Sequence, residues 1–134
     1  MKSPQISVIL PCYNTAATLE EALKSLAAQS FRNFEVIAVD DGSTDDTGLI
    51  LGRWAKSDSR FKHISRPHAG VISASNVGML ASQAPYIART DADDRSHPER
   101  LAKQWAFLEE NREIAVVSSL VKAFPEKDVG GGFQ

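Results

Sequence analysis

Apolar residues recur along this chain in two periods that take turns. Residues 6–10 are a short β-branched run closed by Pro11, the pattern of a strand. Thr18 and Glu21 have the spacing of a capping box, and Leu19, Ala22, Leu23 and Leu26 then fall at i, i+3, i+4 and i+7, which predicts an amphipathic helix. Residues 34–39 read as a second strand. Ser43 and Asp46 mark a second helix N-terminus, with Leu49, Ile50 and Trp54 as its buried stripe. Residues 61–64 form a third short strand. Over 69–83 Val71, Ala74, Val77 and Ala81 predict a helix of small residues suited to close packing, weakened by Gly78. Residues 86–90 follow Pro85 without alternation, as expected for a central strand covered on both faces. Ser96, with Pro98 in the first turn, opens a further helix carrying Leu101, Trp105 and Leu108 inward. Residues 114–120 read as the last strand.

Strands alternating with helices long enough for crossovers predict an α/β fold, a mainly parallel sheet with helices on both faces. With 134 residues, no internal repeat and no linker before residue 125, one domain is expected over 1–124, followed by a flexible tail at 125–134.

Composition narrows the function. Fifteen basic and seventeen acidic residues give a net charge of −2 with no basic block, so nucleic acid is not an expected partner. The single Cys12 permits no internal disulfide or multi-cysteine metal site. No run approaches the roughly 18 apolar residues of a membrane span, and the cytoplasm is the expected compartment.

The candidate chemistry is acidic. Asp40 and Asp41 end the second predicted strand, and Asp91, Asp93 and Asp94 end the one at 86–90. Ligands of open α/β sheets bind at that carboxyl edge. Asp91 and Asp93 are two apart, so in extended backbone their side chains point the same way and repel unless a cation lies between them. Mn²⁺ or Mg²⁺, both hard and oxygen-ligated, would resolve the conflict. Asp-rich turns also follow strands without any metal, because Asp tolerates turn geometry and caps helices. A carboxylate near a nucleotide can accept hydrogen bonds from a base N–H, while a metal-linked pair neutralises a diphosphate.

Three stretches in order carry a resemblance: residues 7–14 (Ser-Val-Ile-Leu-Pro-Cys-Tyr-Asn), 39–45 (Val-Asp-Asp-Gly-Ser-Thr-Asp), and 90–94 (Thr-Asp-Ala-Asp-Asp) followed by His97-Pro-Glu-Arg-Leu101. Together they resemble family-2 glycosyltransferases of the GT-A fold over about residues 5–120. The resemblance implies a Rossmann-like domain, a nucleotide-sugar donor (usually UDP-linked), a divalent metal, and transfer with inversion to a saccharide or lipid-linked acceptor. Carried over by position, Pro11 and Tyr13 line the base pocket, Asp41 binds the base edge with Asp40 supporting that corner, Asp91 faces the ribose or metal, and Asp93 ligates the metal, with Asp94 a third member. The family often has Ala-Arg-Asn where this chain has Ala74, Ser75 and Asn76, so an expected Arg contact is missing. The resembling enzymes continue for about a hundred further residues that supply the acceptor site and the general base. No catalytic base is assigned here, and the chain is expected to be the donor-binding half.

Other residues have plainer readings. Cys12 is a small buried hydrophobe, Trp54 and Trp105 are core, and His63, His68 and His97 lack metal-ligand spacing and take surface or capping roles. Residues 68–70 form a loop that could lie near the donor. Arg100, Lys103 and Arg112 read as a solvated helix face, whereas Arg89 and Arg95 could reach phosphate. The rival functions are a non-catalytic nucleotide-sugar binder and a receiver-type signalling domain, whose acidic pair should end the first strand rather than the second. No G-x-G-x-x-G follows the first strand, as a dinucleotide-binding dehydrogenase requires. An exposed edge at 114–120 would favour a homo-oligomer.

Overall fold

A computed structural model describes residues 2–124; the expected tail lies outside them. The elements are β1 (Ile6–Cys12), α1 (Ala16–Ala27), β2 (Phe34–Asp40), α2 (Thr47–Ser57), β3 (Phe61–Ser65), α3 (Val71–Ala81), β4 (Tyr86–Arg89) and α4 (Arg100–Glu110). The four strands are parallel in the order β3-β2-β1-β4. The chain divides into two compact units, Met1–Ala102 and Lys103–Gln134.

The crossovers through α1 and α2 step the sheet one way, and that through α3 steps it back past β1. Right-handed crossovers therefore place α3 on the face opposite α1 and α2. Every residue of β1 and β2 is buried, so these two strands are the centre. This order is that of the dinucleotide-binding half-fold, with its switch point between β1 and β4; the receiver order, in which the third strand lies beside the first, is not present.

Several boundaries differ from the periodic reading, each for a local reason. β1 runs through Pro11 to Cys12. The β1–β4 pairing ends at Ile9 with Arg89, and Pro11, two residues beyond Ile9, faces the side where pairing has stopped, so its missing N–H breaks no ladder bond. α1 starts a turn earlier than the capping box suggests, with Thr15 as N-cap, although Leu19, Ala22, Leu23 and Leu26 are its buried residues as expected. On α2 the buried residues are Thr47, Ile50 and Leu51, and Leu49 is exposed. Trp54 is half-buried, packing against Phe61 at 5.0 Å between centroids and donating its indole N–H to Glu20.

Gly78, expected to weaken α3, is what lets the helix sit down on the sheet. A Cβ there would lie 2.7 Å from the Ile9 Cγ2 and 3.3 Å from that of Val39. Ile9, Ile37, Val39 and Ala74 form the buried cluster under it. β4 is not the central strand: among the described residues it pairs with β1 alone, its residues alternate between half-buried and exposed, and Ile87 is exposed. Its exposure alternates although its sequence does not, so only one of its faces is covered. Residues 114–120 form no strand; Val116 and Leu120 are exposed, so β propensity without a neighbour to pack against makes no ladder. The edge proposed for self-association is therefore not formed. No helix among the described residues is long and apolar enough to cross a membrane.

At the amino edge of the sheet one buried carboxylate holds four segments. Glu35 on β2 accepts from the Ser7 hydroxyl of β1 at 2.6 Å, from the Gln83 amide after α3 at 3.0 Å, and from Lys62 of β3. Burial pushes this carboxyl up, but Lys62, Ser7 and the Gln83 amide together hold it below its ordinary 4.5. The Glu35→Ala variant should lose about 2 kcal/mol by leaving buried donors unpartnered, measured by urea unfolding at pH 7. Because the folded pKa is depressed, the ionisation-linked part of that contribution is present above the unfolded value and disappears as pH falls through the folded one, so the gap between wild type and variant should narrow on acidification.

Candidate functional site

β1 ends with Cys12 level with Asp40, so Tyr13 and Asp41 emerge side by side beyond the sheet. The Asp41 amide donates to the Cys12 carbonyl at 2.8 Å. Asn14, in the left-handed region at φ 50, turns its side chain across to the β2–α2 loop, where its Oδ1 accepts from the Thr44 amide at 2.8 Å. Its own amide donates to Ser43 Oγ at 2.9 Å. Asp45 answers from the other loop, accepting from the Ala16 amide at 3.1 Å and the Thr47 amide at 2.9 Å. The Thr47 contacts are the main reason its carboxyl stays below the ordinary range. Ser43, Thr44 and Asp45 thus lock the two loops that flank the site. Asp40 points back toward α2: its Oδ1 accepts the Ser43 amide at 3.0 Å and its Oδ2 lies 2.9 Å from where a Gly48 Cβ would stand.

Asp41 is buried and gathers the β3–α3 loop. Its Oδ1 accepts the Ala69 amide at 3.0 Å and lies 3.4 Å from Arg66 Nε; its Oδ2 accepts the Gly70 amide at 2.8 Å and lies 2.9 Å from His68 Nδ1. Burial would raise this carboxyl, but the two amides, His68 and Arg66 hold it low, so it is ionised. The His68 ring stacks on Tyr13 with centroids 4.1 Å apart and planes at 23°. Pro11, Cys12, Tyr13, Asp41, His68, Val71 and Ala74 line a pocket of about 140 Å³. A larger groove of about 280 Å³ is lined by Glu20, Arg53, Trp54 and Ser57 of α1 and α2 and includes no residue of the carboxyl edge. Gly42, at φ 78, is pressed against the loop: a Cβ there would lie 2.7 Å from the His68 amide nitrogen.

The second acidic cluster follows β4. Ala92 is buried while Asp91, Asp93 and Asp94 are exposed, with carboxylate oxygens all within 4.8 Å of one another. Burial first, then the charges of Asp91 and Asp93, push the Asp94 carboxyl up. Three hard oxygen donors so close, repelling one another, fit a shared divalent cation. The backbone beneath them is tied down from three directions. Thr18 donates to the Ala92 carbonyl at 3.1 Å; Arg100 donates to Thr90 Oγ1 at 2.7 Å and to the Arg89 carbonyl at 2.9 Å. Fully buried Gln29 donates to the His97 carbonyl at 2.8 Å and accepts the Leu101 amide at 3.1 Å.

Among the sequence-derived candidates, Pro11, Tyr13 and Asp41 share the pocket, Asp91 and Asp93 share the acidic cluster with Asp94, and Asp40 supports the loop behind. Arg89 pairs with Asp91 at 2.7 Å and Arg95 with Glu21, so neither cation is held apart for a phosphate. Arg100 is not part of a solvated face but a half-buried brace of the acidic loop, because its guanidinium finds two acceptors at the end of β4, the Arg89 carbonyl and Thr90 Oγ1, and a third in Ser96 Oγ after the loop. Arg66, Gln29 and Asn14 were not singled out by sequence reasoning. Only Asn14 left a signal, standing within the 7–14 motif as a residue type that tolerates left-handed backbone. His68 lies in the loop expected near the donor, but its ring is part of the pocket rather than a surface or capping group.

The model of "Glycosyl transferase family 2" matches residues 7–131. EpsE of Bacillus subtilis is 42% identical over 130 residues, 96% of this chain and 47% of EpsE. An uncharacterized glycosyltransferase of Haemophilus influenzae is 36% identical over 128 residues, 40% of that protein. Among solved structures, S. aureus TarS in complex with UDP-GlcNAc superposes with a TM-score of 0.76 at 32% identity, over 81% of this chain and 32% of that one. The mannosyltransferase PcManGT of Pyrobaculum calidifontis, in complex with GDP-Man and Mn²⁺, gives 0.69 at 28% identity, over 80% and 33%. The chain thus spans half or less of the length of these relatives.

Two outcomes follow from the pocket itself. Gly42→Ala should lower thermal stability by about 2 kcal/mol, since it imposes a left-handed alanine and a contact on the His68 backbone. The Cys12 thiol, pushed up to about 12 chiefly by burial, should stay unmodified by iodoacetamide at pH 8 in the folded chain and react on unfolding in urea, as read by mass spectrometry.

Proposed function

The chain belongs to glycosyl transferase family 2, and from that premise we propose that it binds a nucleotide-sugar donor, a UDP-sugar, across the carboxyl ends of β2, β1 and β4 for sugar transfer with inversion to an acceptor. The observation that carries the proposal is that an aromatic-lined pocket with a buried ionised carboxylate and an exposed trio of carboxylates occupy the same sheet edge. β2 and β4 flank β1, so their ends lie two strand spacings apart, roughly 10 Å, the reach of a nucleoside from base to diphosphate.

In this reading Pro11 and Tyr13 line the base site, Asp41 accepts from the base edge, and Asp40 holds the turn that aims Asp41. Three exposed carboxylates would repel a diphosphate, and a divalent cation held by Asp91 and Asp93, with Asp94 beside them, reverses the sign of that field. When bound, the cation would neutralise charge on the diphosphate leaving group. Thr18, Gln29 and Arg100 fix the backbone so that the carboxylates converge without being buried. The binding of UDP-GlcNAc by TarS and of GDP-Man with Mn²⁺ by PcManGT supports both the donor class and the metal.

Calorimetric titration of UDP should show binding with Mn²⁺ that EDTA abolishes and that Asp93→Ala weakens by about tenfold or more. Equal binding with and without metal would remove the cation from the reading, and no binding under any condition would remove the nucleotide. Metal-supported affinity should also fall on acidification at a higher pH than an ordinary carboxylate cluster would require, because the raised Asp94 carboxyl takes up its proton earlier.

A further inference from the structure

The Asp41 carboxylate has about four acceptor positions: Oδ1 accepts the Ala69 amide, with Arg66 Nε 3.4 Å away, and Oδ2 accepts the Gly70 amide, with His68 Nδ1 2.9 Å away. The imidazole thus takes up the space in front of Oδ2, and a base N–H can approach that oxygen only if the ring leaves. The two amides belong to the loop backbone and the Arg66 side chain is 19% exposed, whereas the His68 side chain is 53% exposed. His68 Nδ1 lies 2.9 Å from Oδ2 and 3.1 Å from the Asp41 carbonyl oxygen. Both neighbours are acceptors, so Nδ1 carries the proton and donates. The same ring lies flat against Tyr13, at 4.1 Å between centroids. His68 is thus a planar nitrogen heterocycle that stacks on the aromatic wall of the pocket and presents an N–H to Asp41, donating to its carbonyl oxygen and lying 2.9 Å from its carboxylate.

We propose that His68 is an internal surrogate for the donor's base, occupying the stacking face of Tyr13 and the Oδ2 acceptor of Asp41 until a nucleotide displaces it. The inference rests on the reading above that these two residues receive the base. Its consequence is that apparent nucleotide affinity is reduced by the fraction of molecules in which the imidazole is seated, and that the reduction falls on the base and not on the diphosphate.

The test is calorimetric titration of UDP and, separately, of inorganic pyrophosphate, each with Mn²⁺, into wild type, His68→Ala and His68→Asn. His68→Ala should bind UDP about tenfold more tightly than wild type, and His68→Asn, which keeps a donor but no ring, should fall between them. Pyrophosphate should bind all three equally. Equal or weaker UDP binding by His68→Ala would overturn the surrogate while leaving the nucleotide reading intact, and weaker binding would mean that the imidazole supports the base instead. An equal gain for pyrophosphate would overturn it too, by moving the effect to the diphosphate end. Should His68→Ala fail to give a cooperative melt, His68→Asn decides alone, since it must still exceed wild type. No UDP binding by any of the proteins would overturn the nucleotide reading and the surrogate with it.

Discussion

A carboxylate removed from water must be given donors or lose its charge, and at Asp41 this requirement organises the whole upper side of the molecule. The side chain is buried at the end of the central β2 strand and ionised, so it collects two backbone amides, a guanidinium and an imidazole from the β3–α3 loop. That capture fixes where the loop turns and where α3 begins. Gly42 is needed beside it because the loop backbone is drawn in too closely for a Cβ. Gly78, on the same helix farther down, answers the same demand for close approach from the sheet.

Polar side chains elsewhere act by the same rule to hold loops that no periodic pattern supports. Glu35 joins three strands and the end of α3 at the amino edge, while Gln29 and Arg100 hold the segment after β4 against the end of α1. At the end of β4, Asp91, Asp93 and Asp94 converge where solvent or an ion can reach them, with Arg89 paired to Asp91. The contrast between a buried carboxylate held by donors and three exposed ones drawn close together divides the edge into a site for a neutral, hydrogen-bonding group and a site for a cation. This division suits a ligand with a base at one end and a diphosphate at the other.

The strand order makes that arrangement possible. Because the chain reverses its direction of travel after β3, β4 is laid on the far side of β1 from β2, which makes the carboxyl end of β1 the switch point at which ligands of such sheets bind. The 7–14 and 39–45 motifs meet on one side of it, knitted through Asn14, Ser43 and Asp45, and the 90–94 motif stands on the other.

What the amino-acid order determined by itself was the alternation of two burial periods, hence a parallel α/β sheet, and the positions of Pro11, Tyr13, Asp40, Asp41, Asp91 and Asp93 at strand ends. These follow from local rules: period reports which faces are buried, and a polar break reports where a strand stops. Tertiary structure alone decided that Gly78 packs rather than weakens, that β4 is an edge among the described strands, and that residues 114–120 make no strand. It also alone brought His68 onto Tyr13 and Arg100 beneath the acidic loop. The physical reason is range: burial period is written in neighbouring residues, whereas a hydrogen-bond partner or a strand neighbour lies tens of residues away and is chosen only when the sheet has formed.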